Sequence, residues 1–168
     1  MGGAIARGLA KGTIIQTADI CVSNPSKGKL DALKGEFHAM QVTHSNVEAV
    51  KEADIVLLAV KPWYIEPVIK ELPLDTEKQI LVSVAAGISF EQYEGWVGEK
   101  MPVFRVIPNT AISQLESMTL IASHHATKEQ EQLMLDIFNE MGLAMLIPEK
   151  QMAATTALTS CGIAYVLK

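Results

Sequence analysis

Short apolar stretches recur along the chain and are separated by segments with helix signals. The clearest is Ile55–Val60, which is apolar at every position instead of alternating, and Gln79–Val84 is mostly apolar. A strand that helices cover on both faces has this pattern, whereas a half-buried strand alternates. Both segments are therefore predicted to be buried parallel strands. Shorter apolar stretches predict further strands at Asp19–Val22, Met40–Thr43, Val103–Ile107, Met118–Ala122 and Ala144–Ile147.

The segments between the strands carry helix start and stop signals. Thr127 is placed to cap a helix over Lys128–Met141 that ends at Gly142, and Gly12 ends a helix at the start of the chain. Asn46 is expected to cap a short helix. The other predicted helices are Met1–Lys11, Lys27–Glu36, Pro62–Glu71 and Phe90–Val97. Strands that alternate with helices predict an α/β fold with a doubly wound, mostly parallel sheet.

The composition changes near Pro148. Before it, residues 1–147 read as one α/β domain. After it, residues 148–168 are small and apolar with few charges, and they look helical. That composition is typical of a helix that packs on another element, so this segment is predicted to begin a second, helical domain.

Charge and cysteine content exclude several classes of partner. The net charge is −5 with no basic stripe, which argues against nucleic acid and against a membrane surface. No apolar run is long enough to span a bilayer. Cys21 and Cys161 are far apart and lack CxxC spacing, so they are expected to be reduced thiols of a cytoplasmic protein. The four histidines form no metal-binding spacing, and no metal site is expected.

Candidate binding residues follow the predicted strands. Ligands in open α/β sheets bind outside the carboxyl ends of the strands. Lys61 follows Ile55–Val60, and Ala85-Ala86-Gly87 follows another strand, where small residues would let a flat ring approach the backbone. Asn109 follows Val103–Ile107 and could bond an amide. Each also has a plain structural interpretation: a solvated lysine, a tight turn that needs glycine, and a turn asparagine.

The end of the predicted strand Asp19–Val22 bears on nucleotide choice. A site for NAD usually places a carboxylate there to hold the ribose 2′-hydroxyl. This chain has Ser23-Asn24-Pro25-Ser26, followed by Lys27 and Lys29. Hydroxyl, amide and ammonium groups favour a 2′-phosphate, so NADPH is predicted to be preferred over NADH. A helix-capping turn would explain the same residues, and both interpretations can hold.

The N-terminal residues open directly into a helix. A dinucleotide-binding unit begins with a strand and a glycine-rich turn, and the helix that follows holds the pyrophosphate at its N-terminus. Gly2 would then be the third glycine of that turn, the one that permits close helix–strand packing. A start methionine followed by a flexible terminus is the alternative. On the first interpretation the chain is cut at both ends.

Several motifs, in order and spacing, resemble the pyrroline-5-carboxylate reductase family. Residues 1–9, MGGAIARGL, resemble the end of its GxGxMGxA-I-x-x-G-L opening. Residues 59–62 are AVKP, residues 85–87 are AAG, and residues 105–110, RVIPNT, resemble RVMPNTP. The family's TxLSGSGPAY segment is matched less well, because this chain has Cys161 and Ile163 where serine and proline are usual.

The resemblance implies a Rossmann-like domain that binds NADP(H), with NAD(H) as the alternative, and reduces 1-pyrroline-5-carboxylate to L-proline. It also implies a homo-oligomer formed through the helical C-terminal domain. No residue is assigned a catalytic role. The cofactor-binding residues it implies are Met1, Gly2, Ser23, Asn24, Asn46, Ala59, Val60, Lys61, Pro62, Ala85, Ala86, Gly87 and Asn109. Two alternatives stay open: another NADP-linked oxidoreductase on the same scaffold, and a non-catalytic nucleotide-binding module.

Overall fold

The computed structural model describes residues 1–161 and has the predicted alternation of strands and helices. The strands are β1 (Cys21–Ser23), β2 (Gln41–Thr43), β3 (Ile55–Leu58), β4 (Ile80–Ser83), β5 (Val103–Ile107), β6 (Ser117–His124) and β7 (Gly142–Leu146). The α-helices are α1 (Gly2–Lys11), α2 (Lys27–Glu36), α3 (Asn46–Val50), α4 (Pro62–Glu71), α5 (Phe90–Val97), α6 (Lys128–Asn139) and α7 (Met152–Thr156). Short 3₁₀ segments lie at Thr17–Asp19, Thr110–Gln114 and Glu149–Gln151, and a π-helical turn at Ala157–Cys161.

The strands form two sheets. β1 pairs with β2 in parallel, and the larger sheet has the order β3-β4-β5-β6-β7. In the larger sheet β3, β4 and β5 are parallel, β6 is antiparallel to β5, and β7 is parallel to β6. The predicted fold class, α/β with a mostly parallel sheet, is confirmed. Within residues 1–161, β1, β2, β3 and β7 each have one edge without a ladder partner.

Helix α1 fixes how the two sheets are oriented. Its first residue, Gly2, lies against Ala59 just beyond the carboxyl end of β3. Its C-terminal end lies beside the segment that leads into β1, because the Thr17 hydroxyl donates to the Ala10 carbonyl at 3.1 Å. Ala6 in the middle of α1 packs in the same hydrophobic cluster as Val22 of β1 and Met40, the residue just before β2. β1 therefore runs back along α1, and the carboxyl ends of both sheets face the same way.

The larger sheet is covered on both faces, as its continuous apolar strands predict. In β3, Val56 and Leu58 pack in one hydrophobic cluster, whereas Ile55 and Leu57 contact the cluster on the opposite face. All four residues of β4 are buried. Burial on both faces is the reason these strands do not alternate polar with apolar positions.

Several predicted boundaries are wrong by a few residues. β1 begins at Cys21, because the preceding Thr17–Asp19 forms a 3₁₀ turn. β3 ends at Leu58, so Ala59 and Val60 belong to the loop after it. β6 extends to His124 on its C-terminal side, two residues beyond the predicted strand.

Two predicted helix boundaries also need correction. The cap of α3 is Ser45, whose hydroxyl accepts from the Glu48 N–H, and Asn46 is the first residue of the helix. α6 ends at Asn139, and Gly142 begins β7 with a φ of 136°. A Cβ at Gly142 would overlap the backbone of Ser117, so glycine is needed where β7 starts against β6.

The C-terminal described segment packs on the larger sheet. Its first part is helical, as predicted, and Met152 is buried in the same cluster as β5 and α5 residues. Arg105 of β5 forms an ion pair with Glu149 at 2.5 Å, so it has a structural role within the sheet. Residues 162–168, which include Ile163, lie outside the described residues. Among the helices of residues 1–161, none is long and apolar enough to cross a membrane.

Candidate functional site

The candidate site is the edge formed by the loops that follow β1, β3, β4 and β5, together with the N-terminus of α1. We call this edge the carboxyl rim. Parallel pairing brings the ends of β3, β4 and β5 to one side, and α1 brings the end of β1 to the same side. Every predicted cofactor-binding residue lies in or beside these loops.

The N-terminus of α1 lies close to the end of β3. A Cβ on Gly2 would stand 2.9 Å from the Cβ of Ala59, which is closer than two carbon atoms normally approach. The Met1 carbonyl accepts from the N–H groups of Ala4 and Ile5, so the first hydrogen bonds of the helix are formed. The N–H groups of Gly2 and Gly3 precede them and, like the first donors of any helix, have no intrahelical acceptor.

The loop after β1 is held by its own polar side chains. The Ser23 hydroxyl donates to the Asn46 side-chain oxygen at 2.8 Å, which ties the end of β1 to the start of α3. The Asn24 side-chain oxygen accepts from the Ser26 N–H at 2.8 Å, and Nδ1 of His44 lies 2.8 Å from the Asn24 carbonyl oxygen. The predicted residues Ser23, Asn24 and Asn46 are therefore brought together.

The N-terminus of α2 directly follows this loop. Ser26 occupies the cap position, but its side chain makes no capping hydrogen bond, and no acidic residue lies in the first turn. Lys27 and Lys29 are exposed there. Free helical N–H groups and the helix dipole favour an anion at such a terminus, and the two lysines add positive charge.

The loop after β3 exposes a run of predicted residues. Ala59, Val60 and Lys61 are exposed, and Lys61 takes the cap position of α4 without a capping hydrogen bond from its side chain. Pro62 is the first residue of that helix, where a missing N–H costs nothing. Trp63 and Tyr64 follow and are also exposed.

The loop after β4 presents small residues above a buried polar pair. Ala85 is buried, whereas Ala86 and Gly87 are exposed. Gly87 has a φ of 80°, a left-handed conformation that side chains other than glycine rarely adopt. Below the loop, the Tyr93 hydroxyl donates to Ser83 Oγ at 2.6 Å. Burial raises the pKa of Tyr93, so its phenol stays protonated in the working range of most enzymes.

The Asn109 side chain forms hydrogen bonds inside the protein. Its side-chain oxygen accepts from the Ala111 N–H at 3.0 Å and caps the Thr110–Gln114 turn. Its side-chain amide donates to the Thr159 carbonyl at 3.4 Å. Asn109 therefore acts as a turn residue in this structure. It also lies on the carboxyl rim, at the end of β5.

One polar cluster was missed from the sequence. Glu94 of α5 contacts both His124 and His125, whose spacing predicts no metal site. The partners are 30 and 31 residues apart, and α5 and β6 do not follow one another in the chain. The paired histidines were the only signal, because nothing in the spacing links them to Glu94.

Comparison with known proteins agrees with the resemblance found in the motifs. Residues 1–87, just over half of the chain, match the family model described as NADP oxidoreductase coenzyme F420-dependent. The mouse protein named pyrroline-5-carboxylate reductase 3 is 33% identical over 170 residues, which cover 99% of this chain and 61% of the mouse protein.

Solved structures of the same kind superpose over nearly the whole chain. A pyrroline-5-carboxylate reductase from Coxiella burnetii matches with a TM-score of 0.88 at 30% identity, covering 99% of this chain and 62% of its own. The Plasmodium falciparum pyrroline carboxylate reductase, solved with NADP bound, matches at 0.87 and 29%, covering 99% and 61%. The resemblance is confirmed, and the chain spans about three fifths of the mouse relative's length.

Proposed function

We propose that this protein binds NADP(H) along its carboxyl rim. The premise is its family: the chain belongs to the family described as NADP oxidoreductase coenzyme F420-dependent. We propose further that the protein reduces the C=N bond of 1-pyrroline-5-carboxylate to give L-proline. The curated and structural relatives named pyrroline-5-carboxylate reductase support this substrate. The NADP in the Plasmodium structure supports the cofactor.

The observation that carries the proposal is the pair of helix N-termini on one rim. α1 begins at Gly2 against Ala59, and α2 begins after the Ser23–Ser26 loop without a side-chain cap or an acid in its first turn. NADP(H) carries its anionic groups at two places, the pyrophosphate and the 2′-phosphate. The two termini offer one anion site for each.

Each rim residue has a proposed role. The N–H groups at Gly2 and Gly3 hold the pyrophosphate, and Ser23, Asn24 and Lys27 surround the 2′-phosphate. Asn46, which accepts the Ser23 hydrogen bond, lies at the adenosine end of the cofactor.

The nicotinamide end lies over the loops after β3, β4 and β5. Ala59 to Pro62 contact its ribose through their backbone, and the small Ala85-Ala86-Gly87 turn lets the ring approach closely. Asn109 lines the same end mainly as the residue that shapes its turn.

When bound, NADPH would supply a hydride to the C=N carbon of the protonated iminium form of the substrate; the π electrons would become the lone pair of the amine nitrogen, and the cofactor would leave as NADP⁺. The chain's own contribution is to orient the cofactor and to keep its reactive face against the substrate. No general acid is assigned among residues 1–161. The oligomer formed through a helical C-terminal domain and the cytoplasmic location stay predictions.

Cofactor titration tests the proposal. NADPH fluorescence is expected to report saturable binding, and Ser23→Asp is expected to weaken NADPH binding by at least about tenfold, roughly 1.4 kcal/mol. The added carboxylate repels the 2′-phosphate but can accept from the 2′-hydroxyl of NADH, so NADH binding should not fall in parallel. Ser113→Asp makes the same change on an exposed turn and is the matched control.

The outcomes separate the candidate functions. Binding together with proline formation from 1-pyrroline-5-carboxylate supports the reductase. Binding with turnover only on carbonyl substrates supports another NADP-linked oxidoreductase. Binding without any turnover supports a nucleotide-binding module. Absence of NADPH binding, or a preference for NADH in the unmodified chain, would overturn the cofactor proposal.

A further inference from the structure

Three metal-ligating side chains converge on one point of the surface away from the carboxyl rim. Oε2 of Glu94 lies 2.8 Å from Nε2 of His124 and 2.9 Å from Nε2 of His125. One potential ligand atom from each residue lies within 4.8 Å of the other two. About a third of each side chain is exposed, so water and ions reach the cluster while the protein holds the rings on one side.

The backbone explains how two neighbouring histidines reach the same carboxylate. His124 is the last residue of β6, and consecutive side chains of a strand point to opposite faces. His125 has a φ of 55°, in the left-handed region that residues other than glycine seldom occupy. This turn swings the second imidazole back toward the first, and the two ring centroids lie 3.9 Å apart.

The first imidazole is also fixed from its other side. The ring of His124 stacks on Phe90 with a centroid distance of 5.0 Å and an interplanar angle of 16°. Phe90 and Glu94 belong to the same helix, α5, one turn apart. The helix therefore supplies both the surface that orients His124 and the carboxylate that meets its Nε2 atom.

We propose that Glu94, His124 and His125 form a binding site for a borderline transition-metal dication, with Zn²⁺ as the type. Two imidazole nitrogens and one carboxylate oxygen are ligands that such ions accept, and water completes the coordination. Ligand atoms of a tetrahedral ion with bonds of about 2.0–2.1 Å lie roughly 3.3 Å apart. The distances from Glu94 Oε2 to the two Nε2 atoms, 2.8 and 2.9 Å, would increase to this spacing if the partly exposed Glu94 side chain moved slightly outward.

The site lies at the opposite edge of the sheet from the proposed cofactor site. His124 pairs in register with Val103, the first residue of β5, so the cluster is at the amino ends of the parallel strands. A bound ion would join α5 to the end of β6 and the turn that follows it, which here meet through the contacts of Glu94 with the two histidines and the stacking of His124 on Phe90. The ion would thus have a structural role, and removal of the ion would leave the carboxyl rim intact.

Zinc titration of the purified chain tests the site without the nucleotide. Calorimetry in a buffer that does not chelate metals is expected to show one Zn²⁺ per chain. Glu94→Gln and His125→Asn are expected to weaken it by at least about tenfold, since each removes one of three protein ligands. Asparagine tolerates the left-handed backbone at 125. The matched controls, Glu91→Gln on the same helix and His38→Asn on an exposed loop, should bind as the unmodified chain does.

Cobalt supplies a second readout that does not depend on the variants. Co²⁺ bound by nitrogen and oxygen gives visible ligand-field bands without the near-ultraviolet charge-transfer band of a thiolate. A thiolate band would place the ion on Cys21 or Cys161 and would overturn the proposal. So would zinc binding that is absent from the unmodified chain, unchanged by both ligand variants, or abolished by His38→Asn. None of these results bears on NADPH binding, so this proposal and the reductase proposal fail separately.

Discussion

At the scale of single residues, a few side chains connect segments that are distant in the sequence. Arg105 is largely buried on β5, and its partner Glu149 lies where the C-terminal segment begins. The same Glu149 carboxylate accepts from the Phe90 N–H at 2.9 Å, at the start of α5. Glu149 therefore joins three elements at one point.

Removal of the Glu149 charge is expected to destabilise the protein. Glu149→Gln leaves the Arg105 guanidinium without its counter-charge in a site where only 11% of its side chain is exposed. Because Glu149 itself is partly exposed, we expect a loss of about 1–3 kcal/mol, below the 3–5 kcal/mol typical of a fully buried pair. Urea denaturation measures it.

The control for this prediction is the exposed pair of Lys100 and Glu77. Both of its side chains are mostly solvated, so Glu77→Gln should cost no more than about 1 kcal/mol. An equal effect of the two substitutions would show that burial of Arg105 contributes nothing to the strength of its pair.

Glu140 gives a pH-dependent prediction at the same scale. Its carboxylate accepts from the Thr13 hydroxyl at 2.7 Å and from the Thr13 N–H at 2.6 Å, and these bonds hold its pKa below the ordinary value of 4.5. A carboxyl group whose pKa is lower in the folded state stabilises the protein above its unfolded pKa. That contribution is lost as the pH falls through the folded value.

We therefore expect Glu140→Gln to reduce the free energy of unfolding at pH 7. The difference from the unmodified chain should shrink as the pH falls below about 4.5. Denaturation curves of both proteins at pH 7 and near pH 4 measure this. A difference that stays constant across that interval would contradict the assigned role of Glu140.

At the scale of elements, the helix caps show how far local sequence determines structure. Thr127 accepts from the Gln130 N–H, and the Gln130 side chain accepts from the Thr127 N–H, which forms a full capping box on α6. The cap was predicted correctly because threonine, a common capping residue, directly precedes the helical segment. At α3, Ser45 and Asn46 are adjacent and both suited to capping, so the sequence left the choice open and the prediction of Asn46 was wrong.

The two cap types predict different costs of mutation. Thr127→Ala is expected to reduce stability by about 1 kcal/mol, because the Gln130 N–H loses the hydroxyl that accepts its hydrogen bond. Ser26→Ala at the start of α2 should cost much less, since the Ser26 side chain makes no capping bond. Thermal denaturation of both variants measures the difference, and equal costs would refute this account of the caps.

At the scale of the whole molecule, the two sheets leave unpaired edges. Of the described residues, the strands β1, β2, β3 and β7 each present one edge without a ladder partner. Unpaired N–H and C=O groups on an edge are available to pair with another chain. We expect this chain to associate in a concentration-dependent way, as measured by light scattering over a range of protein concentrations. A monodisperse monomer throughout that range would contradict the expectation.

Sequence patterns by themselves determined the local features of this protein. Continuous apolar runs gave the buried strands, and small residues and prolines gave the turns that follow them. The motifs around Gly2, Lys61, Gly87 and Asn109 gave the family resemblance. These features can be predicted locally because a continuous apolar run, a left-handed turn or a cap is recorded within a few consecutive positions.

Only the tertiary structure decided the rest. β6 runs antiparallel to β5, although its composition resembles that of the parallel strands, because direction is set by pairing and not by apolar content. The division into two sheets and the meeting of Glu94 with His124 and His125 likewise depend on contacts between distant segments. A pattern along the chain records which residues are buried, and the packing of the whole molecule determines which of them meet.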